Sequence, residues 1–170
     1  MLKIIDLEMG NIGSVIKAIK HINAEYEIIT EPSQLEGASK ILLPGVGSLF
    51  LAAKKMHESG FADAIREFVI QKNTPILGIC VGMQLLGRSG DEGGSSQCLG
   101  FIDAHIGKVD NMNGTLSIPH MGWNDVKFDS LPIFNNIESG SCFYFVHSFA
   151  MSIDCYEELS VAYTDYGQNV

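Results

Sequence analysis

Apolar positions in the first half of the chain follow two alternating spacings. Leu2 to Leu7 is a run rich in branched apolar residues that closes at Gly10-Asn11, after which Ile12, Val15, Ile16, Ile19 and Ile22 recur three and four residues apart. The first spacing predicts a strand and the second a helix with one apolar face. Glu25 to Thr30 repeats the strand pattern and stops at Glu31-Pro32, where Ser33 can cap a short turn through Leu35. Ser39 to Leu43 predicts a third strand, ending at Pro44. Leu49 to Glu58 and Phe61 to Gln71 predict two helices divided at Ser59-Gly60, with Phe61, Ala64, Ile65, Phe68 and Val69 as the buried stripe of the second. Pro75 to Ile79 is almost wholly apolar, which predicts a central parallel strand covered on both faces, and Val81 to Leu86 turns helical directly after it.

Strands alternating with helices of crossover length predict an α/β fold, a mostly parallel sheet flanked by helices with ligands at the carboxyl ends of its strands. After Gly87 the pattern changes. Residues 87 to 100 are rich in Gly and Ser, and the later runs at 104–109, 124–128, 142–149 and 159–164 suggest short strands with no long helices between them. These predict an antiparallel extension. With no internal repeat and 170 residues, the expectation is one domain spanning residues 1 to 170.

Charge removes several function classes. A net charge of -9 repels phosphate backbones and anionic lipid headgroups, so nucleic acid is not an expected partner. The longest mostly apolar stretch, Ile41 to Ala53, is broken by Pro44, Gly45 and Gly47 and is too short to span a bilayer. Asp6 interrupts the amino end before an export signal can form, and a cytoplasmic protein is expected. The four cysteines, at 80, 98, 142 and 155, make no CxxC pair and have no His at ligand spacing. Reduced thiols are expected, with no metal site and no cofactor.

The chemistry is concentrated at Gly78-Ile79-Cys80-Val81-Gly82, a G-x-C-x-G sequence at a strand-to-helix turn and the cysteine counterpart of the serine nucleophile elbow. Glycines on either side permit a sharp turn that lifts the Cys80 side chain above the sheet. The N–H groups at the start of the helix favour the reactive thiolate, and the Val81 N–H can donate into an oxyanion hole. Read alone, the same residues also fit close strand–helix packing around a small buried cysteine. Pro44-Gly45-Val46-Gly47 ends another strand and should lie at the same sheet edge, where it can supply a second N–H donor, or serve only as a glycine turn.

Taken together, GICVGMQLL (78–86), LPGVGSLF (43–50), PHMGWN (119–124) and FYFVHSF (143–149) resemble the family of glutaminase subunits of imidazole glycerol phosphate synthase, class I glutamine amidotransferases, in consistent order from Ile4-Ile5-Asp6 to Tyr166-Gly167. The resemblance implies a flavodoxin-like fold, and hydrolysis of L-glutamine to glutamate and ammonia through a thioester on Cys80. It implies delivery of the ammonia to a barrel-shaped cyclase/synthase subunit, in a heterodimer of histidine biosynthesis. By the same resemblance, Gly45, Val46, Gly47 and Val81 form the oxyanion hole, and Gln84 helps bind glutamine beside the backbone of His147, Ser148 and Phe149. His120, Met121, Trp123 and Asn124 lie near the synthase interface. His147, within an aromatic strand, is read as a structural histidine and not as the catalytic base.

The family's His-Pro-Glu motif lies beyond a segment similar to Tyr166-Gly167-Gln168-Asn169-Val170, and none of His21, His57, His105, His120 and His147 is followed by Pro and Glu. The expectation is therefore a chain truncated at the carboxyl end, without the last strands and helix and impaired in turnover. Leu7-Glu8 stands where the family has an aromatic residue followed by Gly. Three other readings are a paralogous subunit supplying ammonia to a surface-sugar pathway, prompted by Gly100 to Ala104, a silent adaptor, and a cysteine sensor on a similar sheet.

Overall fold

Ile4, Ile5, Ile29, Ile41 and Leu43 are at most 1% exposed, and they come from three neighbouring strands of one parallel sheet. The computed structural model describes residues 1–129, 132–152 and 159–170. They divide into two compact units, Met1–Asp103 and Ala104–Val170. In the first, β1 (Leu2–Ile5), β2 (Tyr26–Ile29), β3 (Lys40–Gly45) and β4 (Ile76–Cys80) pair in the order β2-β1-β3-β4, all parallel. Consecutive residues of β1 and β3 are buried because helices cover a parallel sheet on both faces.

The helices follow the predicted spacing with one adjustment. α1 (Ile12–His21) is half-buried, and α2 (Leu49–Glu58) buries Leu49, Ala52, Ala53 and Met56. The predicted 61–71 helix is α3 (Phe61–Arg66) followed by a π-helical turn over Glu67–Gln71. The Lys72 N–H reaches back five residues to the Glu67 carbonyl at 3.2 Å, which inserts one extra residue into the turn. Phe61, Ala62, Ile65 and Phe68 are buried, while Ala64 and Val69 are half-buried. The Lys72 ammonium sits 3.7 Å from the Phe68 ring centroid.

Pro75 to Ile79 predicts a central strand, and among the described residues β4 pairs with β3, with Leu77 49% and Ile79 42% exposed on the strand. The predicted 81–86 helix is also shorter, α4 being Val81–Gln84.

Residues 87–100 are more ordered than their composition suggests. β5 (Ser89–Gly90) and β6 (Ser96–Gln97) form a small antiparallel hairpin. Its connecting turn sends a Glu92 carboxylate oxygen to the Leu49 N–H at 2.9 Å, capping α2 where the Ser48 side chain does not. Arg66 donates to the Cys98 and Leu99 carbonyls at 3.2 and 3.4 Å, and Arg88 pairs with Asp103.

The second unit is built from antiparallel ribbons. β7 (His105–Lys108) pairs with β10 (Phe149–Ser152), and β8 (His120–Phe128) pairs with β9 (Ser141–His147) on one side and β11 (Ala162–Tyr163) on the other. β8 begins four residues before the predicted 124–128 strand because one of its faces carries His120, Gly122 and Asn124, which do not read as an apolar alternation. The predicted 159–164 strand is reduced to Ala162–Tyr163. Cys155 lies outside the described residues.

Candidate active site

In the first unit the β4–α4 junction has the strained geometry of a nucleophile elbow. Cys80 has φ 55° and ψ −115°, a left-handed backbone that an L-residue adopts only when its surroundings impose it. The surroundings here are two backbone approaches that leave no room for a side chain. A Cβ on Gly78 would stand 2.5 Å from the Gly82 carbonyl oxygen and the Met83 nitrogen, and one on Gly82 would stand 1.7 Å from the Leu43 carbonyl oxygen. Both glycines thus hold β3, β4 and α4 together at the point where the chain reverses. Cys80 is exposed, as a nucleophile must be.

The predicted oxyanion segment lies alongside. Gly45, the last residue of β3, stands in register with Cys80, and its Cβ would meet Gly82 and Val81 at 3.2 Å. Gly47 has φ 93°, a turn that glycine makes without strain. Val81 is the first residue of α4, so its N–H has no carbonyl one turn back within that helix. Gln84, one turn beyond Cys80, is 7% exposed, which rules out a solvated helix face for it.

A residue pair not foreseen from sequence governs Val46. Its N–H donates to the Met9 carbonyl at 3.1 Å. Next to Met9, Glu8 occupies the position where the resembled family has Gly, and it takes a left-handed φ of 54°. Its N–H bonds to Asp6 at 2.7 Å and its carboxylate to the Lys55 ammonium at 2.5 Å, and that bond and charge hold its pKa below the ordinary carboxylate range. Glu8 thus holds a left-handed backbone while bonded through its N–H on one side and its carboxylate on the other.

In the second unit the residues singled out from PHMGWN and FYFVHSF fall on opposite faces of the β8–β9 ribbon. One face presents Met121, Trp123, Tyr144 and Val146, 60%, 72%, 55% and 55% exposed, with the Trp123 and Tyr144 rings edge to face at 5.7 Å. The other carries His120, 2% exposed and stacked between Phe145 at 4.8 Å and Tyr166 at 4.0 Å. Of the four residues expected near a partner, Met121 and Trp123 therefore face outward and His120 and Asn124 do not. His120 Nδ1 and His147 Nε2 are 2.9 Å apart, a bond invisible in sequence because it depends on the His120–His147 register. Ser148 accepts from the Val109 N–H through its carbonyl at 2.9 Å, and Phe149 begins β10. Among the described residues no group of three or more His, Cys, Asp or Glu could hold a metal ion.

The thiols differ enough to be told apart by labelling. Cys98 is buried, and burial pushes its pKa up to about 11. The Cys142 thiol donates to Asp125 at 2.8 Å, and that bond holds its pKa above the ordinary range. Thiolate is the reactive form, so brief treatment with iodoacetamide at pH 7.5 is expected to modify Cys80 before Cys142, and Cys98 only after unfolding. Peptide mass mapping reads the order, and early modification of Cys98 would contradict the burial described here.

These features can be set beside known proteins. The profile of the family described as glutamine amidotransferase class-I matches residues 3–170. The chain is 44% identical over 168 residues to imidazole glycerol phosphate synthase subunit HisH 1 of Campylobacter jejuni strain RM1221, covering 98% of this chain and 82% of that one. It is 40% identical to the HisH subunit of Vibrio cholerae, over 97% of this chain and 80% of the other. It is 42% identical to subunit HisH 2 of Methanococcus maripaludis, over 88% and 73%. A solved structure described as a glutamine amidotransferase superposes with a TM-score of 0.68 at 18% identity, covering 88% of this chain and 72% of that one, and it supports the fold alone. Fold, elbow and sequence agree: the chain belongs to the class I glutamine amidotransferases, in the family of HisH subunits of imidazole glycerol phosphate synthase.

Proposed function

We propose that the chain is the glutaminase subunit of an imidazole glycerol phosphate synthase, a cytoplasmic enzyme of histidine biosynthesis that supplies ammonia to a cyclase partner. The observation that carries this reading is Cys80, exposed and held at φ 55° between two glycines that tolerate no side chain. The Cys80 sulfur attacks the side-chain amide carbon of glutamine, and the negative charge moves to the amide oxygen. As that charge collapses, the C–N bond breaks, the nitrogen takes up the proton that the thiol has lost and leaves as ammonia, and a glutamyl thioester remains. Water then cleaves the thioester to glutamate and restores the thiol. The Val81 N–H and the Gly45 to Gly47 segment stabilise the oxyanion, and Gln84 helps bind the substrate. Donation by Val46 requires that its bond to the Met9 carbonyl be given up first.

None of the five histidines is followed by Pro-Glu. Positioned acid–base help is worth about 10²- to 10⁴-fold, so these 170 residues by themselves should turn glutamine over slowly while Cys80 remains open to a glutamine-like electrophile. The outward face of β8–β9 suits a barrel-shaped partner, because a cluster of exposed aromatic and apolar side chains is the usual core of a protein interface. Trp123→Ala is expected to weaken binding to the cyclase subunit about 30-fold, read by titration calorimetry, with the melting temperature of the free chain little changed. The direct test of the function is ammonia release from glutamine by the chain together with the cyclase subunit of the histidine pathway. No binding to that subunit would favour the second reading, an ammonia supplier for a surface-sugar pathway, prompted by Gly100 to Ala104.

A further inference from the structure

A chain of four hydrogen bonds crosses the second unit, from the segment after β11 through β8 and β9 to the first residue of β10. At one end, the Asn124 amide is oriented by the backbone: its nitrogen donates to the Asp165 carbonyl at 3.2 Å and its oxygen accepts from the Asp125 N–H at 3.2 Å. That nitrogen is also 3.4 Å from His120 Nε2, which must then accept. A neutral His120 therefore carries its proton on Nδ1 and donates to His147 Nε2 at 2.9 Å. At the other end, His147 Nδ1 lies 3.1 Å from the Phe149 carbonyl, which can only accept, so a neutral His147 also carries its proton on Nδ1. The two ends assign the same tautomers independently, and only a pair of neutral imidazoles satisfies every bond.

We infer that the His120–His147 bond is a proton-sensitive latch: with both rings neutral it closes one end of the β8–β9 ribbon and ties that end to β10, and a proton on either ring opens it. Three observations make it a latch and not an incidental contact. The two residues face each other in the register at the end of the ribbon, His120 opening β8 and His147 ending β9. β10 pairs with β7, so the His147 bond to the Phe149 carbonyl reaches from the ribbon to a strand of another ladder. His120 is 2% exposed and stacked between Phe145 and Tyr166, so it cannot swing to another partner when the bond is lost. The inference concerns this unit alone and holds whatever the substrate of the chain.

A proton added to His147 goes to Nε2, where it faces the Nδ1–H of His120. One added to His120 goes to its Nε2 and faces the Asn124 amino group. Either sets two donors against each other in place of a bond. Burial, and then the neighbouring His147, lowers the pKa of His120. Burial lowers that of His147, opposed in part by its bond to Phe149. Among the described residues, the ionisable groups on the surrounding elements are engaged or turned away. Tyr166, stacked on His120, donates its hydroxyl to the Ser117 carbonyl, and Asp165 accepts from the Gly167 N–H. On β8 and β9, Asp125, Lys127, Cys142 and Tyr144 alternate onto the opposite face, and Tyr163 of β11 pairs with Lys127 there. On β7, Lys108 is exposed in register with Phe149, and His105 stands opposite Ser152 at the far end of β10. The sign follows: with folded values below the ordinary 6.5, the latch contributes fully above that pH, and its contribution is lost as pH falls from 6.5 through the folded values.

The test is amide hydrogen exchange of the 170-residue chain at pH 7.5 and 5.5, with each rate divided by the intrinsic rate at that pH. In the unaltered chain, exchange at 120–124 and 143–147 should speed about tenfold from pH 7.5 to 5.5, while the amides of β1 and β3 hold their protection. His120→Phe keeps the ring stack and removes the bond, so its ribbon should exchange fast already at pH 7.5 and change little on acidification. His120→Asn, whose amide nitrogen can donate to a neutral His147 and whose oxygen can accept from a protonated one, should stay protected at both pH values. ¹⁵N spectra of histidine-labelled protein should give both rings as Nδ1–H tautomers at pH 7.5, a readout that serves if His120→Phe fails to fold. An Nε2–H tautomer at either ring, the form free histidine prefers in water, would overturn the latch. So would ribbon exchange that ignores pH in the unaltered chain, or the same acid response in His120→Asn. An equal loss of protection in β1 and β3 would overturn it too, because acid would then be loosening the fold at large.

Discussion

Cys80→Ala is expected to lower glutamine hydrolysis by the complex about 10²-fold or more, while cyclase activity supplied with ammonium salt continues. The size of the effect comes from the route and not from the fold. Without the sulfur there is no thioester, and the oxyanion donors of Val81 and the Gly45 to Gly47 segment have no tetrahedral intermediate to stabilise. With no histidine followed by Pro-Glu among these residues, the thiolate and its oxyanion donors carry the hydrolysis they catalyse, so losing the sulfur removes nearly all of it. Measuring glutamate release and ammonium-driven product formation side by side separates the two activities. Hydrolysis that survived within a factor of ten would mean that another group attacks the amide. Loss of the ammonium-driven reaction would mean that the substitution disturbed the partner interface. Alanine at a φ of 55° is no more strained than cysteine, so the folded structure should tolerate the change.

Gly82→Ala should have the largest effect on stability. The added carbon would stand 1.7 Å from the Leu43 carbonyl oxygen, a backbone atom of a central strand with no side-chain torsion through which to move aside. Relief requires β3 and α4 to separate, which opens contacts around Leu43 and Leu85, at 0% and 1% exposure. Overpacking of this kind costs about 3 kcal/mol or more, and the melting temperature should fall on the order of 10 °C. Differential scanning fluorimetry reads the shift. A melting temperature within about 2 °C of the unaltered chain would show that the elbow relaxes more readily than its backbone contacts suggest.

Much of the first unit was legible because its signals are local. Strand-like runs, three-and-four spacing and Gly-flanked Cys80 are properties of a few neighbouring residues, and the parallel sense of β1 to β3 follows from their alternation with helices. What escaped was nonlocal. The π-helical turn at Glu67 is a single inserted residue that the apolar stripe tolerates. In the second unit the sequence showed strands but not their register, and the meeting of His120 with His147 exists only because those two positions face each other across a ribbon. Likewise, Glu8 in place of glycine stood out as a departure, but its left-handed backbone and its bond to Lys55 are tertiary facts.

The two-sided β8–β9 ribbon also constrains how relatives of this chain can diverge. Side chains alternate between its faces with a period of two, and Met121 and Trp123 stand on one face while His120 and Asn124 stand on the other. Inserting or deleting one residue within β8 would exchange the faces beyond that point, turning aromatic rings inward and imidazoles outward together. Lineages can therefore vary residue identity along this ribbon far more freely than its length, and indels should collect in the connections at 110–118 and 132–140 that lie outside the strands.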